Sequence, residues 1–177
     1  MRNVKLLVIS ICLGLLFVSC GTTSTKAVAF PGMYEEKPTV MLIMPPINNS
    51  NYVDAKDYFY TTMNVPLAEA GYYVLPPAAT LATMQRESAY DSERFIDGDV
   101  KRFGKIFGAD VAIFTIIQGW EKSVIGSAVI IEIEYVFKST KTNEVLYRRK
   151  ARLNCDTSSN VRTNGLFGGL INLVADA

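Results

Sequence analysis

The chain has 177 residues, enough for one domain that buries a core without disulfide staples. Its 49% apolar and 20% charged residues suit a globular protein and exclude a disordered one. With 18 basic residues against 17 acidic, the net charge of +1 lacks the basic footprint of a nucleic-acid binder. Histidine is absent, so Ser-His-Asp and Cys-His catalysis and His-containing zinc sites are excluded, leaving only lysine or carboxylate bases.

At the amino terminus Arg2 and Lys5 precede an apolar stretch from Leu6 to Val18, and Ser19-Cys20 follow. A basic start, an apolar run of about a dozen residues and a small residue make a secretory signal. The run is shorter than the roughly 20 apolar residues a spanning helix needs. Phe17-Val18-Ser19-Cys20 resembles the bacterial lipobox, with Phe17 where Leu is usual and Ser19 where Gly or Ala is commoner. The resemblance implies a signal peptide over 1–19, cleavage before Cys20, diacylglycerol on its sulfur and an acyl chain on its amino group. Two or more acyl chains suffice for stable membrane attachment. The competing readings are a plain cleaved signal with an incidental cysteine and an uncleaved signal anchor; the Gly, Thr and Ser that follow Cys20 favour the lipid.

Gly21 replaces the Asp of the inner-membrane retention signal, which points to the outer membrane, and the lack of an acidic run just after Cys20 favours its periplasmic side over the cell surface. Losing Arg2 and Lys5 with the signal leaves 16 basic residues against 17 acidic, a near-neutral mature chain. Cys12 departs too, and Cys155 remains alone; in an oxidising compartment it is expected to be buried, or else to pair with another chain.

Residues 20–38 show little periodicity and read as a lipid-anchored tether, which would let the domain float a few nanometres from the bilayer. Residues 39–177 read as a single α/β domain. Thr39 to Met44 is an apolar run suited to a strand buried on both faces, closed by Pro45-Pro46 and the turn cluster Asn48-Asn49-Ser50-Asn51. Asp54 opens a helix with Phe59, Met63, Leu67 and Ala70 on one side, in which Pro66 makes a kink or starts a fresh turn, ended by a left-handed Gly71. Tyr72 to Leu75 is a short strand, Ala78 to Arg86 a helix, and Tyr90 to Glu93 a polar connection. Asp99 opens a third helix with Val100, Phe103 and Phe107 at helical spacing, ended by Gly108. Ala109 to Ile117 is the central strand. This alternation predicts a parallel sheet flanked by helices, in two or three layers.

The pattern then switches to period two. Val129 to Phe137 and Val145 to Leu153 alternate, with Val145, Tyr147, Ala151 and Leu153 on the apolar side of the second run. They predict an antiparallel hairpin through Thr140 to Asn143, in which Glu134 faces Arg148 or Lys150 and Glu132 faces Lys150 or Arg152. Leu166 to Val174 has helical spacing and reads as a helix closing over the sheet, with an interaction or membrane-contact helix as the alternative.

No phosphate loop, metal spacing or catalytic cluster is present, and no metal or cofactor is expected beyond the lipid on Cys20. Asn48, Asn49 and Ser50 occupy the carboxyl end of the first strand, where ligands of open parallel sheets bind, although turn chemistry explains them equally. Trp120, at the end of the central strand, is either an anchor for a partner or a packing residue.

Three segments resemble a known family: Met41 to Ser50, Pro66 to Pro76, and Phe107 to Ile113. They are similar to bacterial lipoproteins of unknown function whose fold is like the amino-terminal domain of TolB and the periplasmic domain of the curli-secretion lipoprotein CsgG. The resemblance implies no catalytic residue, and an envelope assembly or secretion role beside a CsgG-like lipoprotein. Self-association is a second form of protein partnership, and a module binding a small ligand or a peptidoglycan fragment is the alternative.

Overall fold

The computed structural model describes residues 25–122 and 128–156. The lipobox, the closing helix at Leu166 to Val174 and the Cys155 side chain lie outside the described residues.

A six-stranded sheet forms the centre. Strands β1 (Val40–Ile43), β2 (Ile47–Asn48), β3 (Tyr73–Val74), β4 (Val111–Lys122), β5 (Ala128–Ser139) and β6 (Val145–Asp156) lie in the order β3-β1-β4-β5-β6, with β2 also pairing β4. The β1, β2 and β3 pairings are parallel, whereas β4-β5 and β5-β6 are antiparallel. The expected parallel half continued by a hairpin is therefore present, with β4 at its junction. Strands β1 and β2 run along β4 as one interrupted strand. Pro45-Pro46 causes the interruption, and the Pro45 carbonyl accepts from Ser92 Oγ at 2.6 Å instead.

Helices cover both faces. The first face buries Met41, Ile43, Val111, Ile113 and Ile117 against Phe59, Met63 and Leu67. These three come from α3 (Ala55–Tyr60), the turn after it and α4 (Asn64–Glu69). The second buries Leu42, Met44, Ala112 and Phe114 against Met84, Phe95, Val100 and Phe103. These belong to α5 (Pro77–Arg86), α6 (Ser92–Ile96) and α7 (Lys101–Phe107) with its N-cap. Each such side chain contributes roughly 1.5–3 kcal/mol on burial. The arrangement has three layers.

Both helix-ending glycines adopt left-handed backbone, Gly71 at φ 93° and Gly108 at φ 68°. The next residue but one after Gly108 explains the Phe107 to Ile113 segment. Asp110 Oδ2 accepts the backbone N–H groups of Thr39 at 2.9 Å and Val40 at 3.0 Å, so it fixes where β1 enters the sheet. Its other oxygen meets Lys141 Nζ at 2.8 Å.

Four expectations are corrected. The helix opened by Asp54 is two helices: Pro66 lies inside the second, the break falls at Thr61 to Met63, and Ala70 is exposed. The polar connection near Tyr90 contains a helix, α6, that buries Ser92 and Phe95. In β6 the register shifts by one residue at Phe137/Lys138. Leu146 is therefore the extra residue of a bulge, buried beside Tyr147, while Val145 is 48% exposed.

The fourth concerns the segment read as tether. Lys26–Ala29 forms α1 and Pro31–Glu36 forms α2. Phe30 packs on Tyr147 with ring centroids 4.5 Å apart. Gly32 crosses Leu146 so closely that a Cβ would stand 2.9 Å from its Cδ2. Glu36 accepts hydrogen bonds from Ser139 Oγ at 2.6 Å and Thr142 Oγ1 at 2.9 Å. Periodicity could not show this, because these helices are too short for an apolar stripe to register.

Candidate functional site

The carboxyl ends of β2 and β4 converge on one cluster. Asn48 ends β2 opposite Ile117. Its Oδ1 accepts from Ser50 N at 3.0 Å and Ser50 Oγ at 2.6 Å, while its Nδ2 donates to Tyr52 O at 2.7 Å. Tyr52 N donates to Ser50 Oγ at 3.3 Å. Asn48 and Ser50 thus spend their polar groups on the turn. Asn49 is exposed, and its Nδ2 reaches Gln118 Oε1 at 3.4 Å.

The turn presents Tyr52 to Trp120. Their rings stack at 4.6 Å and 18°, Tyr58 lies beside both at 6.2 and 6.3 Å, and Phe59 meets the indole edge-on at 6.0 Å. Trp120 and Tyr52 are half-buried, whereas Tyr58 is 56% exposed. A hydrogen bond to Tyr58, followed by partial burial, holds the Tyr52 phenol above its ordinary pKa. The result is a three-ring aromatic shelf open to solvent on the Tyr58 side.

A bulge in β4 builds this shelf. Ile117 pairs with Ile133 but Gly119 pairs with Glu132, so Gln118 is the extra residue. Strict alternation would send Trp120 to the opposite face from Ile117. The extra residue restores it to the first face, opposite Ile131, onto Phe59. Gln118 bridges outward on the other side and donates from Nε2 to Glu134 Oε2 at 3.2 Å.

That other side carries a second feature. Among the described residues no helix covers the second face over the outer part of the hairpin, and an open groove of about 580 Å³ lies there. Gln118, Glu132, Lys150 and Arg152 line it together with Ile133 and Ala151. Glu132 pairs with Arg152 and Glu134 with Lys150 in the register, as the alternation predicts. The ion pairs are Arg152–Glu132 and Arg148–Glu134, each 3.7 Å. The exposed Arg152–Glu132 pair is worth about 0–1 kcal/mol and sets register more than stability, whereas Glu134 is buried and also accepts from Gln118.

The four candidates therefore meet in one place: Asn48, Asn49 and Ser50 shape the turn, and Trp120 forms the shelf through Tyr52. Tyr52, Tyr58 and Gln118 were not singled out from sequence. A tyrosine two residues after Asn-Asn-Ser was the available signal. Among the described residues no three acidic or cysteine side chains gather as a metal site, and no helix is long and apolar enough to cross a membrane.

Comparison with known proteins places this architecture. The chain is 22% identical over 174 residues to the chain named "Putative lipoprotein NMB1124/NMB1162" from Neisseria meningitidis serogroup B, covering 97% of this chain and 80% of that one. It is similar to the crystal structure of lipoprotein GNA1162 from Neisseria meningitidis, with TM-score 0.65 and 22% identity over 78% of this chain and 96% of that one. A PelC dodecamer from Paraburkholderia phytofirmans has TM-score 0.50 at 10% identity, covering 77% and 83%. The solution structure of Escherichia coli LpoB has TM-score 0.51 at 15% identity, covering 69% and 63%. These distant likenesses show a shared mixed α/β fold. The family model described as "Putative lipoprotein GNA1162-like" matches residues 29–177, and the chain belongs to that family.

Proposed function

We propose that the protein is a non-enzymatic envelope lipoprotein, held by acyl chains on Cys20 at the periplasmic side of the outer membrane, that docks a protein through its aromatic shelf. The observation that carries the docking is the stack of Tyr52, Tyr58 and Trp120, with Tyr58 56% exposed beside a half-buried indole. Tyrosine and tryptophan supply large contact area at low entropic cost and are enriched among residues that dominate binding. The partner is a CsgG-like lipoprotein or a second copy of this chain. That a chain of similar fold, PelC, is a dodecamer supports self-association. TolB- and CsgG-like kinship belongs to the same proposal, supported by the parallel half joined to a long antiparallel hairpin.

Crosslinking living cells and recovering the acylated protein tests this reading. Wild type should yield a reproducible envelope partner or a higher oligomer, and Tyr58→Ala should lose it while folding normally. Equal recovery from both, or from neither, counts against the shelf.

The groove beside Gln118 favours a second reading, a module binding a small ligand or peptidoglycan fragment. Among the described residues Lys150 forms no ion pair there, while Glu132 and Arg152 offer both signs of charge to a zwitterionic peptide. A thermal-shift screen with stem peptides separates the two readings, since only this one predicts stabilisation that Lys150→Ala abolishes.

A further inference from the structure

The amino-terminal helices form a strap that is fastened at one end of the sheet and exposes a valine and a tyrosine among its charged residues. Phe30 and Glu36 attach it to Tyr147, Ser139 and Thr142, near the amino ends of β1 and β4. Yet α1 buries none of its side chains, Val28 is 74% exposed, and Tyr34 on α2 is 49% exposed. Val28 and Tyr34 thus stand exposed on a segment that is fixed to the domain.

The chain leading into the strap identifies a surface for them. Five residue steps separate Cys20 from Thr25, which span at most about 17 Å when fully extended. If Cys20 is acylated, the strap is confined within that distance of the lipid. A weak contact then forms at the high effective concentration of an intramolecular encounter. Lys26 and Lys37 flank the strap against an exposed Glu35, so charge adds little and the apolar side chains carry the contact.

We propose that the strap is a second membrane contact: Val28 and Tyr34 rest in the headgroup region of the leaflet that holds the Cys20 acyl chains. The inference rests on the acylation proposed above and deepens it. It fixes the stance of the domain, with the amino ends of β1 and β4 toward lipid. Trp120 lies nine residues along β4 from Val111, about 30 Å away at the rise of a strand. The shelf is thereby held out for a partner instead of facing the bilayer. Tyrosine suits the interface, with an apolar ring below and a hydroxyl at the water side.

The test uses the acylated full chain, its mass verified, on vesicles of phosphatidylethanolamine and phosphatidylglycerol with brominated acyl chains. In the wild type the native indole, Trp120, should be unquenched. In a Trp120→Phe background, Tyr34→Trp should give an indole quenched roughly twofold by brominated lipid if it reaches the acyl boundary. Val28→Trp is the second reporter should the first variant fold poorly. An acylated, vesicle-bound protein with both reporters unquenched overturns the contact and leaves the anchor standing. A mature mass without acyl groups overturns the anchor, and the contact with it. Protection of 25–36 from hydrogen exchange that follows protein concentration and ignores lipid assigns the strap to a second copy and also overturns the proposal.

Discussion

Trp120 faces the same side of the sheet as Ile117 although it lies an odd number of positions, three, further on, because Gln118 is accommodated as a bulge. Deleting Gln118 should therefore turn the indole to the second face, away from Tyr52 and Phe59. The chain has one tryptophan, so its emission reports the change. The deletion should shift emission to longer wavelength and lower stability, whereas Gln118→Ala should keep the wild-type spectrum. A deletion variant with unchanged emission would mean that the bulge does not aim the ring.

Asp110 is expected to be the most costly surface carboxylate to alter. Partial burial raises its pKa, but Lys141 and the N–H groups of Val40 and Thr39 outweigh that and hold it below the ordinary value. A carboxylate whose pKa is lower folded than unfolded contributes stability that is present above the unfolded value, near 4, and is lost as pH falls through the folded value. Asp110→Asn should cost about 1.5–3 kcal/mol at neutral pH, the range for charge-assisted hydrogen bonds, and flatten the acid limb of the stability curve. Lys141→Met should cost about 1 kcal/mol or less, since its side chain is exposed. Denaturant titrations between pH 2.5 and 7 measure both, on the interval where ordinary carboxylates titrate.

The first core contains an avoidable cost. Thr115 and Tyr135 are register partners on β4 and β5, both buried, and neither hydroxyl has a hydrogen-bond partner among the described residues. Tyr135→Phe and Thr115→Val should each leave stability unchanged or raise it by up to about 1 kcal/mol, because no bond is broken and a desolvated hydroxyl is removed. Burial, and then the nearby Tyr147, push the Tyr135 phenol well above its ordinary value. An acid whose pKa is raised on folding contributes stability that is complete below the unfolded value, near 10, and is lost as pH rises toward the folded one. Tyr135→Phe should therefore extend stability at alkaline pH. A drop of more than about 1 kcal/mol in Tyr135→Phe would reveal a partner for the hydroxyl.

Phe30→Ala should release the strap without unfolding the sheet. Its ring meets Tyr147, and α2 joins the domain chiefly through that contact, Leu146 and Glu36. Hydrogen exchange of 25–36 should speed up by about tenfold or more, the equivalent of losing roughly 1.4 kcal/mol of local stability, while β4 and β5 stay protected. Equal acceleration throughout would show that the strap belongs to the cooperative core.

The main elements were legible where local chemistry and global packing agree. Gly71 and Gly108 ended helices because only left-handed backbone fits there, and Glu132 and Glu134 fixed the hairpin register because alternation leaves one parity. What escaped were single-residue insertions and short segments. The bulges at Gln118 and Leu146 reverse the parity of every residue beyond them, and the change lies in pairing, which periodicity within one strand does not record. The strap and α6 escaped because four to six residues give no stripe. At the candidate site, the sequence located Asn48 to Ser50 and Trp120 separately. Their union depends on Tyr52, which only the fold brings to the indole.

Intact mass spectrometry of the protein isolated from its host's membranes tests the central claim most directly. The expected chain begins at Cys20 and is heavier than its residues by a diacylglyceryl group and an amide-linked acyl chain. A chain that retains residues 1–19, or begins at an unmodified Cys20, would contradict it.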